Sequence, residues 1–149
     1  RFWDPMLGFF ERQLCQGGMV SPSDRSIYRL VRSAEEAARF IQGFYTVYHS
    51  LRYVKNLLVL RLHYPLPGDV PQRLTREFRD ILGGGAVQQG GALPDEADEP
   101  DIRHLPRLIL TFNRKDYGRL TELIYRINET PQGEEVVFVR TGTHAEIFE

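Results

Sequence analysis

The chain reads as an α/β protein in two parts: the closing αβα segment of a larger parallel-sheet domain over residues 1–50, then a ferredoxin-like α+β unit over residues 51–141, with a tail at 142–149. Three observations predict this. Stretches with helical spacing of apolar residues alternate with stretches of strand periodicity. A single strand lies between the first two helices, as at the end of an α/β sheet. Beyond residue 51 the order is strand, helix, strand, strand, helix, strand. A length of 149 residues suits one ordinary domain or two small ones.

The first helix begins at Asp4-Pro5, where Asp caps amides and Pro tolerates the first helical position, and stops at Gly17-Gly18. Residues 19–24 read as a loop and Ile27–Val31 as a short strand. Ser33-Ala34-Glu35-Glu36 forms a capping box, and Ala37, Phe40, Ile41, Phe44, Tyr45 and Tyr48 give the following helix a broad apolar face running toward His49. Val54–Leu62 is a strand with Leu58, Leu60 and Leu62 on one face. From about Val70, the stripe Leu74, Phe78, Ile81, Leu82 predicts a helix closed by Gly83-Gly84-Gly85. Ala86–Leu93 reads as a second strand. Pro94–Asp101, with five acidic residues and two prolines, reads as an exposed solvated loop. Leu105–Phe112 is a strand, Asp116 caps a helix with Leu120, Leu123, Ile124 and Ile127 inward, and Val136–Val139 is the last strand.

Composition narrows the function. Nineteen basic residues face 20 acidic ones, a formal charge of −1, so bulk charge draws the chain toward neither nucleic acid nor anionic lipid. All the basic residues except Lys55 and Lys115 are Arg, a skew that coding bias explains better than phosphate binding. The lone cysteine, Cys15, excludes an intrachain disulfide and a multi-Cys zinc site and fits a reducing compartment, with the cytoplasm as the expected location. No apolar run approaches the roughly 20 residues needed to cross a bilayer.

His49, Arg52 and Tyr53, within Tyr48-His49-Ser50-Leu51-Arg52-Tyr53, are the ligand-contact candidates, because they form the densest polar and aromatic cluster at a junction between units. The alternative is that His49 and Arg52 interact with the last helical carbonyls while the tyrosines pack. The four histidines show no metal-ligand spacing, so no metal is expected. Cys15 lies in a last helical turn beside apolar neighbours and reads as packed. The glycine pairs fit neither GxGxxG nor a phosphate loop. No catalytic residue is assigned.

Trp3-Asp4-Pro5-Met6-Leu7, Gly17-Gly18-Met19-Val20-Ser21-Pro22 and Ser33-Ala34-Glu35-Glu36-Ala37 together resemble the closing section of the LONELY GUY (LOG) family, Rossmann-like nucleotide phosphoribohydrolases long mislabelled as lysine decarboxylases. This resemblance covers residues 2–42. Phe44-Tyr45-Thr46-Val47-Tyr48-His49-Ser50-Leu51-Arg52-Tyr53-Val54 and the run from Leu105-Pro106-Arg107-Leu108 to Asp116-Tyr117-Gly118-Arg119-Leu120 look like the C-terminal extension of a longer bacterial subgroup.

The resemblance implies a parent that splits a nucleoside 5′-monophosphate into base and ribose 5-phosphate, without a cofactor and as a homo-oligomer, with cytokinin-type nucleotides among the candidate substrates. The family's catalytic signature, an Arg followed by PGGxGTxxE, has no match in this sequence. The chain is therefore expected to be a C-terminal piece, inactive alone, whose Trp3–Leu14 segment rests its apolar side on a sheet encoded ahead of it. The rival reading is a non-catalytic small-molecule-sensing or oligomerisation module, supported by fold analogy alone.

Overall fold

The computed structural model describes residues 2–131. Helices combine with one antiparallel four-stranded sheet of order β1-β2-β4-β3: β1 is Tyr48–Val54, β2 Leu57–Leu62, β3 Gln88–Gly90 and β4 Arg107–Leu110. The helices are α1 (Trp3–Phe9), α2 (Ala34–Phe44), α3 (Val70–Glu77) and α4 (Tyr117–Asn128). β4 lies between β2 and β3 and is antiparallel to both.

The sheet is the heart of the core. Leu58, Leu60 and Leu62 of β2 and Leu108 and Leu110 of β4 share one face, as their alternation requires. They pack with Leu74, Phe78 and Ile81 from α3 and the turn after it, and with Leu120, Leu123, Ile124 and Ile127 of α4. The apolar stripes predicted for both helices are the buried ones. α3 ends at Glu77, earlier than the glycine run predicts; a 3₁₀ turn, Arg79–Ile81, follows it, and Gly84 and Gly85 take positive φ in the turn beyond.

The first 46 residues depart furthest from the sequence prediction. Helix α1 starts at Trp3, with Asp4 in its first turn where a negative charge suits the dipole. It continues as a π-helical stretch, Phe10–Cys15, and ends where Gly18 takes a φ of 70°. The strand predicted at Ile27–Val31 does not form. A 3₁₀ helix, Pro22–Ile27, occupies its start, and the Asp24 carboxylate closes it by accepting the Ser21 amide at 3.0 Å. Tyr28 is extended, but an extended segment becomes a strand only beside a ladder partner, and the described sheet passes elsewhere.

Helix α2 begins as predicted, with Glu36 N–H donating to Ser33 Oγ at 3.1 Å, yet it ends at Phe44 and does not run toward His49. A tertiary cap ends it. Asn128 of α4 accepts the Val47 and Tyr48 amides at 2.8 and 3.0 Å and donates to the Phe44 carbonyl at 2.5 Å. Residues 48–54 are thereby released into β1, which pairs with β2 across a two-residue turn at Lys55-Asn56, where Lys55 takes a φ of 56°. β1 runs across the boundary expected at residue 50, and β2 starts at Leu57 instead of Val54. At α4, Asp116 occupies the N-cap but its side chain caps no amide; in the turn leading into the helix Asn113 Oδ1 accepts the Lys115 and Asp116 amides. The predicted strand Val136–Val139 and the tail lie outside the described residues.

Candidate functional site

The three predicted contact residues all lie on β1, not at a helix end, and strand alternation separates them. His49 sits where the β1–β2 register shifts; its Nδ1 is 2.8 Å from Ser50 Oγ and its ring 5.0 Å from that of His63. Burial, with the nearby His49, holds His63 below the usual histidine range. Arg52 turns to the face of the sheet away from the helices, whereas Tyr53 turns toward them, packed against the core beneath the Arg114 guanidinium. Burial pushes the Tyr53 phenol up to about 12, so it stays protonated at neutral pH. The structure does not bring the trio together.

Arg52 belongs instead to a network that the sequence prediction missed. The stretch 94–101, expected as a solvated loop, lies against the second face of the sheet, and Glu96 is 2% exposed. Arg61 and Arg107 are register partners on β2 and β4 and are equally buried. Glu96 Oε1 accepts Nε of both, at 3.0 and 3.2 Å, and Oε2 accepts the Leu93 amide at 3.0 Å. Glu99 binds Arg61 and Arg52, and Asp98 binds Arg52 at 2.7 Å. Burial alone would raise the Glu96 carboxyl, but the Leu93 amide and the Arg107 and Arg61 guanidinium groups bring it below its ordinary value. Hydrogen bonds from Arg52 and Arg61 lower Glu99, and one from Arg52 lowers Asp98.

These carboxylates are ion-pair partners of the arginines, and the cluster fastens residues 94–101 onto the sheet. A signal for it existed. Arg61 interrupts Leu57-Leu58-Val59-Leu60-Arg61-Leu62, and Arg107 precedes Leu108-Ile109-Leu110; an arginine embedded in an apolar strand needs a buried counter-charge.

The feature that invites a partner is at the other end of the molecule. None of residues 2–46 is buried. Trp3, Met6, Leu7 and Phe10 on one side and Tyr28, Leu30 and Val31 on the other line an apolar cavity of about 450 Å³, with Arg29 at its margin. Trp3 and Phe9 each leave 52% of their surface exposed. Singly exposed apolar residues are ordinary, but a contiguous patch of large ones marks an interaction site. Cys15 is half-buried beside this region. Among the described residues no group of three or more His, Cys, Asp or Glu side chains is placed to hold a metal ion, and no described helix is long and apolar enough to cross a membrane. No family model, no curated protein and no solved structure matches this chain.

Proposed function

We propose that this chain is the non-catalytic C-terminal part of a LOG-like phosphoribohydrolase acting on nucleoside 5′-monophosphates, and that residues 1–50 fasten it to the Rossmann-like catalytic unit. The observation that carries this reading is the unfilled groove between α1 and residues 28–31. It is formed by the same stretch, Trp3 to Val31, whose motifs resemble the end of the family's nucleotide-binding domain. The remainder is read as a ferredoxin-like extension, supported by the order β2-α3-β3-β4-α4 with β4 between β2 and β3.

Activity then resides in residues this sequence does not contain, because the PGGxGTxxE motif is absent from it. AMP incubated with the 149-residue chain releases neither adenine nor ribose 5-phosphate. A longer protein carrying this stretch behind that motif releases both in equal amounts, by hydrolysis of the N-glycosidic bond. Product formation by the short chain, or none by the longer protein with any common nucleotide, overturns the proposal.

A further inference from the structure

Helix α2 meets α4 through its aromatic side chains: the Phe40 ring lies 6.2 Å from that of Tyr125, and the Phe44 ring stands edge-on to it at 5.6 Å. Beside these rings is a cavity of about 410 Å³, within the size range of small-ligand sites, bounded also by Gly43 and by the side chains of Arg29 and Arg39. Helical spacing sets Arg39, Phe40, Gly43 and Phe44 on one side of α2. The Tyr125 hydroxyl donates to the Ser26 carbonyl at 3.2 Å, so this residue offers the cavity its ring. The two arginines are uncompensated. Among the described residues neither has a carboxylate within ion-pair distance, whereas Arg25 is held by Glu11 and Arg126 by Glu77 and Glu129. Glu36, at the margin, is engaged in accepting the Arg32 amide at 2.9 Å. The Arg29 guanidinium lies over the Phe40 ring, 5.2 Å from its centroid, a cation–π contact that holds its fork at the cavity.

We infer that this cavity binds a small aromatic phosphate ester, its ring against Phe40, Phe44 and Tyr125 and its phosphate between Arg29 and Arg39. The ring follows from the walls, because a flat π-system packs offset or edge-on against aromatic side chains. The phosphate follows from the number of guanidinium groups. One fork already occupies both oxygens of a carboxylate, whereas the three terminal oxygens of a phosphate monoester accept from two forks at once. A bare anion leaves the aromatic walls unused, and an uncharged ring leaves the arginines unanswered. Gly43 leaves the room such a ligand needs, since a Cβ there would meet nothing within 4 Å. The inference stands apart from the proposed enzymatic context and holds whatever the parent's activity.

The test is an NMR titration of the 149-residue chain with phenyl phosphate and with AMP, which separate a single-ring ester from a nucleotide. Saturable binding of either, with a Kd of about 1 mM or tighter and amide shifts centred on residues 39–44 and Tyr125, supports the inference. The matching fragments, inorganic phosphate and phenol or adenosine, bind at least about tenfold more weakly than the ester, as does benzoate. Arg29→Ala and Arg39→Ala each weaken ester binding at least about tenfold. Arg76→Ala, which removes an exposed arginine of α3 that also lacks an ion pair among the described residues, leaves it unchanged. Gly43→Leu abolishes binding without lowering the melting temperature, because the added side chain enters open space. No saturable binding of either ester, a fragment or benzoate binding as tightly as the ester, an equal loss in Arg76→Ala, or full binding by a folded Gly43→Leu overturns the inference.

Discussion

Glu96 ties the second face of the sheet to the polypeptide that crosses it. One carboxylate answers two buried guanidinium groups and a main-chain amide, so its removal leaves Arg61 and Arg107 charged in a desolvated site. Glu96→Gln is expected to lower stability by about 3–5 kcal/mol, measured by urea unfolding, the range seen when one partner of a buried pair is deleted. Asn128 is the other residue with a disproportionate effect. Asn128→Ala orphans the amide of Val47, itself 2% exposed, and should cost about 1–3 kcal/mol in the same measurement. Trp3→Ala, in contrast, changes the stability of this chain by no more than about 0.5 kcal/mol, because the ring has no buried setting here.

At the scale of elements, helices and strands that bury a periodic face were legible: the stripes of α3 and α4 and the Leu58, Leu60, Leu62 face follow directly from spacing. Elements fixed by distant partners were not. The end of α2 depends on an asparagine 84 positions further on, and the lie of residues 94–101 depends on arginines in two strands. The first dependence leaves no local trace, and the second leaves one only in the distant strands, as arginines set in apolar runs, so the carboxylates of 94–101 read in isolation as solvated. The candidate site fared similarly: His49, Arg52 and Tyr53 lie on one strand, where alternation parts Arg52 from Tyr53 and His49 sits at the register shift. Gly118 shows a constraint of this tertiary kind. A Cβ there would overlap the main chain of Ser23 and Asp24, where the 3₁₀ helix crosses the start of α4. Gly118→Ala should therefore lift residues 22–27 from α4 while leaving the sheet intact. Faster amide exchange confined to that turn would register it, and unchanged exchange would show that the contact is unimportant.

For the molecule as a whole, the ion pairs across the sheet set the response to acid. Glu96, Asp98 and Glu99 all have folded pKa values below their ordinary ones, so their contribution is fully present above the unfolded carboxylate range and is lost as pH falls through the folded values. His63, also depressed, favours its neutral form when folded, so its contribution is complete above about pH 6.5 and declines as pH falls below that. Melting temperature should thus fall in two stages between pH 7 and pH 2. The later, acidic stage should shrink in Glu99→Gln, and a flat profile would contradict the assignment of these pairs. The uneven burial along the chain carries a further consequence. Residues 2–46 are attached through the α4 surface and the Asn128 bridge without a buried side chain of their own, while β2 and β4 are packed in the core. A protease of broad specificity should nick the stretch between the Pro22–Ile27 turn and α2 first, leaving a resistant remnant that begins just before α2.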